Sequence, residues 1–180
     1  KVKFAKQFNN VEYIISNKKN ILNVNSKIDL NELKLKNQEF LKPFFPNLNK
    51  TTDLKDQKIE INYNKNNFSI KGQGKIRLEE EFENIDFIIS KINHKFNFDT
   101  KIDLEKTSFI IDFLNFKKNN KLNTKLNIKG NYNKKNELNL KEIFIKEKNK
   151  KIYFENILLD DDNLIKNFDK IDLEYLDDKN

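Results

Sequence analysis

Phe96-Asn97-Phe98-Asp99-Thr100-Lys101-Ile102-Asp103-Leu104 carries a polar residue at every odd position and, Thr100 apart, an apolar one at every even position. Successive side chains of a β-strand leave the backbone on opposite sides, so this stretch written as a strand has one apolar face and one wet face. The same period of two recurs on either side. Leu22, Val24, Ser26, Ile28 and Leu30 alternate with Asn23, Asn25, Lys27 and Asp29, and Ile59, Ile61 and Tyr63 alternate with Glu60 and Asn62. Phe68, Ile70, Ile76 and Leu78 share one parity, with Gly72 and Gly74 between them. Leu122, Thr124, Leu126 and Ile128 alternate with Asn123, Lys125 and Asn127. One-sided alternation marks antiparallel sheet covered on a single side.

Turn material separates the runs: Asn17 to Asn20, Asn64 to Asn67, Lys117 to Asn120 and Asn133 to Asn136. Asn tolerates the left-handed conformation that tight turns need and stands where Gly is usual. Links this short join neighbouring antiparallel strands rather than parallel ones. The chain therefore reads as all-β, a long antiparallel meander forming a curved sheet or open β-groove, with strands longer than the usual five or six residues or so. Residues 1–180 are expected to be a single β-rich segment of a larger repetitive protein.

Two places break the rhythm. Leu33 to Phe45 ends at Pro46 and predicts a short helix or irregular cover near 39–45, limited by Pro43. Asp160-Asp161-Asp162 followed by Leu164, Ile165 and Phe168 predicts one or two helical turns over 161–168, with acids at the N-terminus. Strand resumes over Lys170 to Tyr175. Gly72-Gln73-Gly74 lies between two strand-like runs with no third Gly and no following helix, so a bulge, a bend or a close backbone approach accounts for it better than a phosphate cradle.

The chain is 37% hydrophobic and 35% charged. Compact globules carry about 45–50% apolar residues, which leaves disorder as the rival reading. The 16 Phe and 5 Tyr, with regularly spaced Ile and Leu, argue for order. Arg77 is the single Arg among 35 basic residues, Ala5 the single Ala, and Asn is far above ordinary usage. Lys, Asn, Ile and Phe have AT-rich codons, so base composition explains the profile without selection for basicity. The net charge of +7 is spread among interleaved acids with no Arg cluster for bidentate phosphate contacts, and nucleic acid is not the expected partner.

Catalytic chemistry finds few candidates. Cysteine is absent, and His94 has no second His or Cys to complete a zinc site. Glu79-Glu80-Glu81 and Asp160-Asp161-Asp162 lack the alternating ligands and central Gly of a calcium loop and read as solvated charge. Ser and Thr are few, and none can be tied to His94 as nucleophile and base. The chain is not expected to be an enzyme, and no cofactor is implied. No apolar run approaches the roughly 20 residues that span a bilayer, and the opening at Lys1 shows no signal peptide, so any export signal or anchor is expected to lie outside this segment.

The Pro-Phe-Phe-Pro segment (Pro43 to Pro46), the long alternating strands, the Phe-x-Phe and Leu-x-Ile-x-Gly runs and the thrice-repeated Lys-Ile-Asp-Leu (27–30, 101–104, 170–173) resemble the AsmA-like bacterial envelope proteins, the AsmA, TamB and YhdP group. The similarity is diffuse and covers roughly Ser26 to the C-terminus. It implies a periplasmic β-groove in the cell envelope of a Gram-negative bacterium, part of a membrane-anchored chain. It also implies phospholipid transport to the outer membrane, or support of its assembly. The apolar rows would then form a floor for phospholipid acyl chains: Phe68, Ile70, Ile76, Leu78, Phe96, Phe98, Ile102, Leu122, Leu126 and Ile128. The scattered Lys residues would line the rim and meet headgroups. The competing expectation is a structural or adhesive β-repeat of a surface protein, its apolar face packed on itself with no ligand.

Overall fold

A computed structural model describes residues 8–36, 41–42, 44–65, 67–92, 95–119, 122–132, 138–159 and 165–175. The chain forms β1 (Phe8–Lys18), β2 (Ile21–Lys36), β3 (Thr51–Asn64), β4 (Asn67–Arg77), β5 (Glu83–Ile92) and β6 (Lys95–Leu104) as a continuous meander. A small hairpin of β7 (Ile110–Ile111) and β8 (Phe116–Lys117) then leaves the sheet, its strands joined by a single 3-10 turn at Asp112–Leu114. The sheet resumes with β9 (Thr124–Tyr132) beside β6, followed by β10 (Leu138–Glu147) and β11 (Lys150–Leu159). Two short strands, β12 (Ile165–Asn167) and β13 (Lys170–Tyr175), share the outer edge of β11. Every pairing is antiparallel, and the sheet does not close into a barrel. Among the described residues no helix is long and apolar enough to cross a membrane.

The turns explain the meander. Lys19 and Asn20 both have positive φ (51° and 59°), the type I′ geometry whose twist matches the flanking strands. Lys65 and Lys148 take the same region at the turns after β3 and β10, so Lys shares the role expected of Asn. The turn expected at 133–136 lies outside the described residues. That at 117–120 is a link out of the small hairpin, whose Lys118 backbone N–H donates to the Phe109 carbonyl at 2.8 Å.

Register places mostly apolar residues on one face of the sheet and mostly polar ones on the other. On one side, Ile28, Ile59, Gly72, Phe87, Thr100, Ile128 and Ile143 are cross-strand neighbours from β2 to β10. On the other side runs a charged rung: Glu12, Lys27, Glu60, Lys71, then Ile88, Asp99, Lys129, Glu142, Glu155 and Lys170. Its signs alternate except at Ile88 and at the Glu142–Glu155 step. Opposite charges directly across a ladder stabilise by about 0.2–1 kcal/mol each, and a slip of one residue would turn every side chain to the wrong face.

The Gly-x-Gly element is a close approach. A Cβ on Gly72 would sit 2.2 Å from the Phe87 ring, and one on Gly74 would meet the Gln57 amide at 2.6 Å. Phe87 thus lies over Gly72, and Phe98 lies over Gly130 in the same way (2.5 Å). The bulge sits across the ladder in β3, where Asp56 has φ 51° and pairing slips between Lys55 and Lys58.

The expected helical cover near 39–45 appears, in its described part, as one turn in which the Leu41 carbonyl accepts from the N–H groups of Phe44 (3.0 Å) and Phe45 (3.1 Å). The second helical expectation needs correction. Residues 160–164 lie outside the described set, and Ile165–Asn167 is strand β12, paired with Leu158 and Leu159. The open edge of β11 offers backbone partners that a single helical turn would leave unmet, and ladder pairing outweighs the local three-and-four spacing.

Candidate functional site

The apolar face has two different halves. Over β5 to β11 it is roofed at one end by the segment around Phe45 and by the β7–β8 hairpin. Phe109 is the centre of this roof, with ring centroids 5.4 Å from Phe45, 6.3 Å from Phe116 and 6.4 Å from Phe44. These separations suit aromatic pairs. Beneath it, Leu104, Ile145 and Ile152 are fully buried. Over β1 to β4, beyond the roofed end at Leu54 and Ile76, no roof is present among the described residues, and Val24, Ile28, Ile61, Phe68 and Ile70 stay half-buried.

Three buried carboxylates hold the roof down. Glu83 accepts backbone N–H bonds from Glu105 (3.0 Å), Lys106 (2.7 Å) and Thr107 (2.7 Å). Glu79 accepts from Asn47 (3.0 Å) and Ser108 (2.9 Å), tying both roof segments to the strand end after β4. Glu147 accepts from the Asn119 N–H (2.9 Å) and the Thr124 hydroxyl (2.8 Å). The reading of 79–81 as solvated charge is therefore corrected for Glu79, which is buried, while Glu80 and Glu81 are exposed. Asp160-Asp161-Asp162 and His94 lie outside the described residues.

Between roof and sheet lies a cavity of about 310 Å³, within the roughly 300–1,000 Å³ typical of ligand pockets. Its floor comes from Phe98, Leu126, Ile128 and the apolar residues of β10 and β11, its ceiling from Leu41, Phe44, Phe109 and Ile111, and Ile165 lies at its margin. All of these side chains are aliphatic or aromatic. Phe98 continues along its strand to Phe96, whose ring meets Phe68 edge-on at 6.1 Å, so aromatic contact runs from the cavity into the unroofed half, with the Lys91 ammonium on the same face 5.3 Å from the Phe96 ring centroid.

Of the expected floor residues, Phe98, Leu126 and Ile128 line this cavity, and Phe68, Ile70 and Phe96 belong to the unroofed strip. Ile76, Leu78 and Ile102 are instead sealed in the core beneath the roof, which corrects their assignment to an open floor. Leu78 and Leu122 fall outside the strands. Sequence reasoning missed the contribution of β10 and β11. Their parity changes midway: pairing with β9 slips between Leu140 and Glu142, and Asn156 (φ 51°) bulges between Phe154 and Ile157. Leu138 and Leu140 thus share a face with Ile143 and Ile145, which a strict period of two separates.

The Lys residues of the charged rung sit on the opposite, wet face rather than on a rim of the cavity. Lys129 bonds Glu142 at 3.0 Å, which raises its pKa against the opposing effect of burial. Burial raises the pKa of the neighbouring Tyr153 hydroxyl. Arg77 pairs across the ladder with buried Asp53, lowering that carboxyl's pKa, and lies 4.9 Å from the Phe82 ring centroid. Among the described residues no group of three or more His, Cys, Asp or Glu is placed to hold a metal ion. Comparison with family models, with curated proteins and with solved structures finds no match to this chain.

Proposed function

We propose that this segment binds the hydrocarbon chain of a phospholipid and serves as part of a β-groove that carries lipid through a Gram-negative envelope, towards or in support of the outer membrane. The cavity beside β9 to β11 carries this reading: it is wholly apolar in its side-chain lining and continuous with the unroofed strip at Phe96 and Phe68. Each methylene moved from water into such a site contributes about 0.8 kcal/mol, without regard to headgroup. The envelope setting rests on the resemblance to AsmA-like proteins, and we assign no catalytic step.

A structural or adhesive β-repeat is the second reading. The roof of Phe45, Phe109, Ile111 and Phe116 favours it, because the chain already packs part of the face on itself. Mass spectrometry of lipids co-purifying after periplasmic expression separates the two. Transport expects phospholipid bound to the wild type and lost from Phe98→Glu and Ile128→Glu. Both residues line the cavity, and each retains some exposure. A folded protein free of lipid would abandon that reading for the structural repeat.

A further inference from the structure

The apolar face carries charge at both ends of its strands, and only one end is compensated. Under the roof, Glu83 and Glu147 accept from N–H and hydroxyl groups of the chain itself, and Lys150 lies 3.9 Å from Glu147. At the opposite, unroofed end a row of cross-strand neighbours runs Tyr63, Phe68, Lys91, Phe96, Tyr132 and Leu138. Lys91 is the one charged member of that row. Lys129, Lys151 and Lys170 each meet a carboxylate elsewhere on the sheet, whereas Lys91 forms no ion pair among the described residues.

The surroundings of Lys91 are aromatic. Phe68 and Phe96 flank it on strands two apart, about 10 Å from one another by strand spacing, yet their ring centroids are 6.1 Å apart. The rings therefore lean towards each other over the Lys91 position, and its ammonium stands 5.3 Å from the Phe96 centroid. A ring face offsets part of a cation's lost hydration, and an anion in the same place offsets more. Phe98, which lines the cavity, is the diagonal neighbour of Lys91 across the β5–β6 ladder, at the roughly 7–8 Å that a long side chain spans. A hydrocarbon chain lying in the cavity and leaving it past Phe98 thus brings its polar end to Lys91. Turned the other way round, the same polar end would lie towards Glu83 and Glu147, whose carboxylates repel an anion.

We propose that Lys91 is the head-group site of the cavity. It takes the oxyanion of an amphiphile, carboxylate or phosphate, whose chain lies under the roof with its tail pointing away from Lys91. The inference rests on the acyl-chain reading above and adds to it a preference for anionic over neutral head groups. A free fatty acid supplies the carboxylate, and a phospholipid supplies the phosphate.

Equilibrium dialysis with decanoate, decyl methyl phosphate and decanol, each below the concentration at which it aggregates, tests it. The three share one chain length, and the two anions carry one charge each. Wild-type protein should bind both anions about fivefold tighter than decanol, the upper range for an ion pair open to solvent. Lys91→Gln should bring the anions down to decanol and leave decanol where it was, while Lys91→Arg keeps the preference. Lys71→Gln, on the opposite face, should change neither, which separates a site at Lys91 from general attraction to a basic protein. Tighter binding of the phosphate than of decanoate marks a phospholipid as the source, and the reverse marks a free fatty acid. Equal affinity of the wild type for all three overturns the proposal and keeps the chain-binding reading. A preference that survives Lys91→Gln overturns it too, as does loss of decanol binding in that variant, which would make Lys91 a support of the cavity. Absence of binding by any of the three ends both readings.

Discussion

Ile152 in β11 and Ile61 in β3 hold the same kind of position, an isoleucine on the apolar face with another isoleucine directly across the strand, Ile145 and Ile70 respectively. Ile152 has no exposed surface, whereas Ile61 is half-buried. Neither residue type nor strand geometry separates them. What separates them is the roof, two loop segments that pass over one half of the sheet and not the other. Alternation decides which way a side chain points; a remote piece of chain decides whether water reaches it.

The difference should be largest in the response to truncation. Ile152→Ala is expected to cost about 2–5 kcal/mol, the range for deleting buried aliphatic atoms where the site cannot collapse. Ile61→Ala, starting half in water, should cost about 1 kcal/mol, because the transfer term scales with the area removed from water. Urea denaturation of the two variants measures both, and equal losses would mean that the unroofed half is covered in solution after all.

A smaller effect concerns how the roof is attached. Glu83→Gln replaces one acceptor oxygen with a donor facing the N–H groups of Glu105, Lys106 and Thr107, and buried donors left unmet cost about 1–3 kcal/mol. Amide hydrogen exchange should quicken at 105–108 and in the β7–β8 hairpin while β2 and β3 keep their protection. Uniform quickening would show that the two halves open as one unit.

The smallest effect belongs to acid titration at the join between the halves. The Asp53 carboxyl is lowered first by its bond from Arg77 and by that cation's charge, against burial, which raises it. Its folded pKa therefore lies below its unfolded value of about 3.9. The pair's contribution is fully present above that unfolded value and is lost as pH falls through the lower folded one. Arg77→Leu should remove this pH-dependent increment while leaving a buried carboxylate unpaired, so the variant starts less stable at neutral pH. Thermal melts between pH 2 and 7 follow both curves, and an unchanged acid limb would discount the pair.

Much of the sheet was legible because Leu22 to Leu30, Ile59 to Tyr63 and Phe96 to Leu104 alternate without interruption over their length. The second half was not, because bulges at Asn156 and between Leu140 and Glu142 invert the parity partway along β11 and β10. The small β7–β8 hairpin shows no alternation, and its Phe109-Ile110-Ile111 run carries no sign that it will cross over Leu104 and Leu126. Glu79 looks like its neighbours Glu80 and Glu81 in the sequence, since only tertiary folding brings the Asn47 and Ser108 N–H groups to it. The Lys residues give a similar lesson. Their abundance follows from codon bias in the sequence reading, yet register sets Lys27 beside Glu60 and Lys129 beside Glu142, and those partners are invisible without strand pairing.

The meander also bears on how fast such a chain can fold. Each strand from β1 to β6 pairs with the next one, across a short turn everywhere but β2–β3, where residues 37–50 intervene, and the β6–β9 step spans the excursion of the small hairpin. Loop closure is therefore inexpensive at nearly every step, and such local topologies are reached sooner than sandwiches whose partners lie far apart in sequence. Assembly can begin wherever a hairpin is firmest and spread sideways one strand at a time, as in repeat arrays with nearest-neighbour coupling. The buried β9–β11 hairpins are the natural starting point, and β1 to β4, with the least apolar burial, are the strands expected to join last and to peel away first.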